Sequence, residues 1–432
     1  MFCLTVLTVE LKTKPWAANV GREGSTMNTP TDAAIDSNVG TLAPPDPSTS
    51  AAEIHARAEA LIPILRERAV EVDRERAISW ETYRLLQEAG LFHVLKPKKY
   101  GGLELTEHDH AKIAMTLARG CASTAWVFSI LSSDNMAILA YPEEVQDEIW
   151  GVDTYATLAG NTNLNPKATT VKVPGGYRLT GKWGFCSGSD FSEWLIFNAP
   201  VGDDGEGHMF LVPREDTRTI DDWTPTGLRG TGSRTMSVED VFVPDHRIQA
   251  TADTVSKIAE RRELHPTFHA MWANWPSHSR FPFASVGLGA ALGAAEHFAE
   301  TAATTTRVAN ALGGTISLTD QDYVASEFTE AEGDLQMARL LIERRSHDAG
   351  LRSARHELPS PETIALEQRD NALVARVALR SVSKIFSLVG AKAGFPEHPV
   401  SRAKRDVEMV SHHVTVNWRQ AAVKFLASAT GK

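Results

Sequence analysis

The run Lys182-Trp183-Gly184-Phe185-Cys186-Ser187-Gly188-Ser189-Asp190-Phe191-Ser192-Glu193-Trp194 sets small hydroxyl and thiol side chains between large aromatic ones. Just upstream, Pro174-Gly175-Gly176 reads as a turn, and Tyr177 and Leu179 alternate with Arg178 and Thr180, so the run closes a β-hairpin. Phe185 and the two tryptophans offer flat apolar surface, with the hydroxyls of Ser187 and Ser189 beside it. A flat heteroaromatic ring needs that pairing of a stacking surface with one placed hydrogen bond. Taken alone, the stretch reads more plainly as a sandwich strand whose aromatics are core. What flanks it shifts that balance.

With 432 residues, 42% hydrophobic and 23% charged, the chain is long enough for two or three ordinary globular domains. A net charge of −10 argues against nucleic acid or an anionic membrane surface as partner. Three scattered cysteines (Cys3, Cys121, Cys186) make neither a disulfide framework nor a zinc spacing, which fits a reducing cytoplasm and no metal. No apolar run approaches a membrane span, and Met1–Val9 lacks the basic and apolar regions of a signal peptide. Residues 10–50, rich in Thr, Pro, Ser, Gly and Asn, are expected to be a disordered tail, with Met27 as an alternative start.

From there the chain falls into three textures. Residues 51–152 are helical: Ser50-Ala51-Ala52-Glu53 is a capping box, Pro63 predicts a kink or a later start, and Ser79 caps a helix ending before Gly90. Helices are expected over His108–Arg119 and Ser123–Leu139, and a short one after Pro142. Residues 153–250 form a β-domain, with strands predicted at Tyr155–Leu158, Thr169–Val173, Tyr177–Leu179, Trp194–Asn198, His208–Val212 and Met236–Val243. Residues 251–432 return to helical spacing: a Gly/Ala-rich helix from Phe283, long helices over Tyr323–Leu351 and Glu362–Val389, and a last one over Pro399–Phe425. Small residues at Gly287, Gly289, Ala291, Gly293 and Ala295 let helices approach closely, as in a bundle.

Gly90-Leu91-Phe92 through Tyr100-Gly101-Gly102, and Gly227-Leu228-Arg229-Gly230-Thr231-Gly232-Ser233-Arg234 followed by Val238–Pro244, resemble signatures of the acyl-CoA dehydrogenase superfamily. The resemblance covers nearly everything after residue 50. It implies an α+β fold: an N-terminal helical domain, a middle β-sandwich or barrel, and a C-terminal four-helix bundle. Three further stretches resemble the oxygenase components of two-component (group D) flavin-dependent monooxygenases: Ser123-Thr124-Ala125-Trp126-Val127, Cys186–Asp190, and Arg405-Asp406 with His413 seven residues beyond the aspartate. That group includes hydroxylases of p-hydroxyphenylacetate and of the seco-steroid phenol, and the dibenzothiophene monooxygenase.

By that resemblance, a reduced flavin, FMN or alternatively FAD, is supplied by an NAD(P)H:flavin reductase. Reaction with O2 gives a C4a-hydroperoxyflavin that oxygenates a small aromatic molecule, in a cleft completed by another subunit of a homotetramer. The positions matching flavin contacts are Trp126, Thr162, Asn163, Leu164, Phe185, Cys186, Ser187, Ala391, Lys392, His413 and Val414, with Arg307, or Arg280, for the phosphate. Ser187 is expected to hydrogen-bond near flavin N5, and His413 to donate toward the peroxide. Where the phenol hydroxylases carry a histidine eight residues after the tryptophan, this chain has Asp134. A buried carboxyl there can orient a phenol, or bind a cationic amine and favour N-oxygenation.

Three signals carry less. Gly227-x-x-Gly230-x-Gly232 leads into a strand rather than a helix and reads as a turn loop. His265 and His269 fit a cavity-lining loop better than a metal site, and His108 and His110 read as surface residues. The rival reading is a true acyl-CoA dehydrogenase with bound FAD. It is disfavoured because Asn161-Thr162-Asn163-Leu164 replaces the usual Thr-Glu-Pro-like run, and because Glu408 stands two turns too early for the catalytic base. A degenerate scaffold is disfavoured by the presence of both Ser187 and His413.

Overall fold

The computed structural model describes residues 43–273, 280–308 and 313–431, and Pro44–Lys432 form one compact unit. The expectation of a disordered tail meets described residues only at 43–50. There Pro45 packs beside Gly90, Thr49 is buried, and Ser50 Oγ accepts from the Glu53 amide to open α1 (Ala51–Ala60). Pro63 does interrupt the pattern: α2 (Ile62–Glu75) starts afresh with the proline in its first turn. Ser79 caps α3 (Trp80–Glu88), and Gly90, at φ 76°, turns the chain where a side chain would be strained.

Next come α4 (Glu107–Ala118), α5 (Ala122–Ser133), α6 (Asn135–Ile138) and α7 (Glu143–Trp150). The single helix expected over Ser123–Leu139 is broken at Asp134. Ser133 Oγ bonds back to the Ile130 carbonyl and Ser132 Oγ reaches the Leu91 carbonyl, so hydroxyls compete for acceptors where the helix ends.

The β-region holds β1 (Leu158–Leu164), β2 (Thr169–Val173), β3 (Gly176–Cys186), β4 (Trp194–Val201), β5 (Glu206–Pro213), β6 (Arg218–Ile220), β7 (Arg234–Pro244) and β8 (Ile248–Ala250). One sheet has the order β1-β4-β5-β8 and the other β2-β3-β7-β6; among the described residues only the β1–β4 pair is parallel. The first strand runs over Leu158–Leu164 rather than Tyr155–Leu158, and β3 continues well past Leu179. Trp183 stacks on Phe197 at 4.5 Å and donates to the Asn198 carbonyl at 3.0 Å, tying the sheets together. Trp194 lies under Arg247, 4.8 Å from the guanidinium. Both tryptophans are thus spent on the fold. Of the three aromatics expected to present surface, only Phe185 does.

After α8 (Thr254–Glu260), the C-terminal part consists of α9 (Arg280–Ala302), a hairpin of β9 (Thr306–Val308) and β10 (Thr315–Ser317), α10 (Asp322–Ala354), α11 (Pro361–Val389), α12 (Pro399–Ser411) and α13 (Trp418–Ala429). The last helix, expected to run unbroken to Phe425, stops at Ser411. Val414-Thr415-Val416 is a β-branched run that helices tolerate less well, and Asn417 Oδ1 caps α13 by accepting from Gln420 N at 3.1 Å. One continuous apolar core runs from Ile54 to Val416 through all three textures. Among the described residues no helix is long and apolar enough to cross a membrane.

Candidate active site

Every residue of α5 except Ile130 is buried, and that helix carries Trp126 to the junction of sheet and bundle. The indole stacks on Phe283 of α9 (centroids 4.5 Å apart, 20° between planes) and meets the His413 ring edge-on at 5.2 Å. Its Nε1 donates to Ser187 Oγ at 3.2 Å. Ser187, 7% exposed, follows directly on β3 and lies 2.6 Å from Ser233 Oγ, which lies 2.6 Å from Thr231 Oγ1. Thr231 Oγ1 donates to the Leu228 carbonyl at 2.8 Å. Trp126, Ser187 and His413, some 290 residues apart at the extremes, therefore meet in one place.

The turn loop bearing Thr231 and Ser233 is fastened to α12. Asp406 Oδ1 accepts the Leu228 amide at 2.6 Å, Arg405 Nε donates to the Thr226 carbonyl at 2.9 Å, and Arg405 Nη2 pairs with Asp73 at 3.0 Å. A Cβ on Gly227 would stand 2.1 Å from the Arg405 carbonyl oxygen, so only glycine permits the approach. Arg405-Asp406, visible in the sequence only as a motif, is thus the clamp for this loop. Burial pushes the Asp406 carboxyl up to about 6 in spite of the Leu228 hydrogen bond, which favours the charged form. Sequence reasoning passed over Phe283, Thr231 and Ser233. Their only local signal is an aromatic at the head of the Gly/Ala helix and two hydroxyls flanking Gly232.

His413 stands in the break between α12 and α13, with extended backbone (φ −65°, ψ 140°). Burial pulls its imidazole down to about 4, so it is neutral near pH 7. Its Nδ1 accepts the Thr415 amide at 3.4 Å and lies 2.8 Å from Thr415 Oγ1, which leaves the proton on Nε2. The ring is therefore a donor through Nε2.

Asp134, at the α5–α6 break, keeps partial exposure, yet enough protein surrounds its carboxyl for burial to push it up to about 8. Among the described residues no cation or hydrogen-bond donor meets it. The same carboxyl contributes, after burial, to raising the neighbouring Cys186 thiol to about 12, so Cys186 is inert as a nucleophile.

The remaining expected contacts lie in two other places. Phe185 is 71% exposed at a β-bulge, with φ 60° and its ring edge-on to Trp223 at 5.7 Å. Thr162 and Asn163 form a bulge of β1 ahead of the exposed Leu164; Asn198 Nδ2 holds the Thr162 carbonyl and Asn161 Oδ1 holds the Asn163 amide. Arg307 lies on β9, where Nη1 donates to Tyr323 Oη at 2.6 Å and Nη2 to the Leu388 carbonyl. That places its guanidinium beside Gly390, directly before the exposed Ala391 and Lys392. No carboxylate pairs with Arg307 or Lys392 among the described residues. Within the same limits, no hydrogen bond or ring contact joins this basic corner to the Trp126–Ser187–His413 group. Val414 is exposed and lines a surface groove with Thr415 and Asn417. The side chain of Arg280 lies outside the described residues.

One expectation about histidines needs correction. His110 is buried with its ring edge-on to Phe128, and His108 bonds Ser346 of α10 at 2.9 Å, so neither is a free surface residue. His265 bonds Gln146 Oε1 at 2.7 Å and packs against Tyr100, pinning its loop to the N-terminal helices, while His269 meets His356 at 3.1 Å.

Two family models match: the acyl-CoA dehydrogenase N-terminal domain over residues 56–154 and the C-terminal domain over 281–418. The fold is thus that of the acyl-CoA dehydrogenases. The chain is 32% identical to the oxygenase subunit HsaA of a flavin-dependent monooxygenase from Rhodococcus jostii, over 85% of this chain and 96% of that one. It is 28% identical to the oxygenase component of p-hydroxyphenylacetate 3-hydroxylase from Acinetobacter baumannii, over 86% and 87%. Among solved structures, XiaF from Streptomyces, in complex with FADH2 and glycerol, superposes with a TM-score of 0.81 at 26% identity, over 88% of this chain and 96% of that one. The chain belongs to the oxygenase components of two-component flavin-dependent monooxygenases, and is an oxidoreductase of that class.

Proposed function

We propose that the chain takes reduced FMN from an NAD(P)H:flavin reductase and oxygenates a small phenolic or related aromatic molecule, with FAD as the alternative flavin. The observation that carries this reading is the convergence of Trp126, Ser187 and His413 at the junction of sheet and bundle. The residues suit a flavin: Ser187 offers a hydroxyl beside apolar rings, Phe185 is an uncovered aromatic, and Arg307 is a guanidinium with no carboxylate partner among the described residues. Bound reduced flavin would supply the electrons that activate O2.

Trp126, Phe283 and the buried end of β3 exclude water from one side of that site. His413 Nε2 holds a proton that it gives up only as a hydrogen bond, since the neutral ring is favoured down to about pH 4. Asp134, protonated below about pH 8, orients a substrate hydroxyl. Glu408 lies exposed on α12 beside Lys404 at 3.4 Å, which speaks against a dehydrogenase base at that position. Arg307, Ala391 and Lys392 serve the flavin phosphate of a neighbouring subunit in a homotetramer.

That no cation among the described residues meets Asp134 favours a second reading, in which the substrate brings an ammonium group and is oxygenated at nitrogen. Product analysis with any flavin reductase and a panel of phenols, fused aromatics and amines separates the two. A chain that leaves every panel member unchanged, and fails to bind reduced FMN or FAD anaerobically, refutes both.

A further inference from the structure

The hydroxyls beside Trp126 form a row whose direction is fixed at one end. Thr231 Oγ1 lies 2.8 Å from the Leu228 carbonyl oxygen; a carbonyl only accepts, so the Thr231 proton points there. Ser233 Oγ, 2.6 Å away, must then donate to Thr231, and Ser187 Oγ, 2.6 Å further along, must donate to Ser233. Trp126 Nε1, which can only donate, fills one Ser187 lone pair from 3.2 Å. The Leu228 carbonyl also accepts from the Thr231 amide at 3.2 Å and from Trp223 Nε1 at 3.3 Å, which hold in place the acceptor that sets the direction. The Ser187 proton is used inside the protein, and a single lone pair is left for whatever occupies the pocket.

We propose that Thr231 and Ser233 are positioning residues that make Ser187 a hydrogen-bond acceptor only, so that the pocket selects reduced flavin over oxidised flavin. Reduced flavin carries an N–H at N5 that the free lone pair accepts. Oxidised flavin presents a lone pair of its own there, and two acceptors facing each other in a buried site leave both unsatisfied. This rests on the reading above that Ser187 faces N5.

The test is the ratio of the Kd for oxidised FMN to the Kd for anaerobic, reduced FMN, measured by titration of the intact protein. Ser233→Ala frees the Ser187 proton to meet the N5 of oxidised flavin. The ratio should fall by roughly three- to tenfold, the effect of exchanging one neutral hydrogen bond. Thr231→Val, which keeps shape and removes the hydroxyl, should lower it similarly and carries the test if Ser233→Ala does not fold. Ser233→Thr should restore the wild-type ratio. A purely structural role would weaken binding of both oxidation states alike and leave the ratio unmoved, which overturns the proposal. Ser187→Ala separates the two levels. If it changes neither Kd, Ser187 does not face the flavin and the underlying reading fails with the inference. If it shifts the ratio while Ser233→Ala and Thr231→Val do not, only the hydroxyl row is overturned.

Discussion

The two basic and aromatic ends of the candidate site are built in opposite ways. Around Ser187 the hydrogen bonds link into one row: indole, three hydroxyls, a carbonyl and a carboxylate-held amide. Around Arg307 the protein leaves charge open, with a guanidinium and Lys392 that have no carboxylate partner among the described residues. The first arrangement suits a neutral ring, where specificity comes from which way each hydrogen points. The second suits an anion, where charge does the holding and geometry is looser. A ligand with a flat heteroaromatic head and a phosphate tail needs both.

That contrast can be broken at either end. The largest effect is expected at the open end: Arg307→Ala should weaken reduced-flavin binding by about 10- to 100-fold, the range for losing a charge-assisted hydrogen bond, and added salt should weaken the wild type far more than the variant. Anaerobic titration at two ionic strengths reads both. At the other end, Ser187→Ala or His413→Ala should leave the fold intact and raise hydrogen peroxide released per NAD(P)H consumed, by roughly tenfold if one hydrogen bond of about 1.4 kcal/mol guards the oxygenated flavin. Unchanged coupling in both variants would remove these side chains from the chemistry.

Asp134→Asn sharpens the comparison through pH. The carboxyl is raised to about 8 in the fold from an ordinary value near 4, so between those limits the unfolded chain binds fewer protons than the folded one. Stability contributed at this position is therefore lost as pH rises from about 4 to about 8, and Asp134→Asn should flatten that part of the urea-midpoint profile relative to wild type. Turnover of a phenol should fall above about pH 8 in the wild type, whereas binding of an ammonium-bearing substrate should improve there. The smallest effect belongs to Glu408→Gln: an exposed i,i+4 pair with Lys404 is worth at most about 0.5 kcal/mol, and activity should not change. A collapse of activity would revive the dehydrogenase reading.

Much of the scaffold was legible because it is written locally. The Ser50 and Ser79 caps, the Gly90 stop and the Thr169–Val173 strand depend on residues within a turn of one another. The breaks at Asp134 and His413 were not legible, since periodicity averages over several turns while a hydroxyl back-bond or a cap acts on one. Ser187 and His413 could be singled out by residue type and motif, but Ser233 meets Ser187 across 46 residues and nothing in either neighbourhood announces the partner. His110 was misread for a related reason. Spacing from His108 says which helix face each shares, not that Phe128 of another helix covers it.

Because the α-helix is interrupted between Ser411 and Trp418, the imidazole hangs on short tethers from two helices at once. A shift of α13 turns the ring, while a shift of α12 drags Leu228 and, through it, the oriented hydroxyls. The proton-donating wall can thus be retuned through α13 while the proton-accepting wall stays in place, whereas α12 moves both.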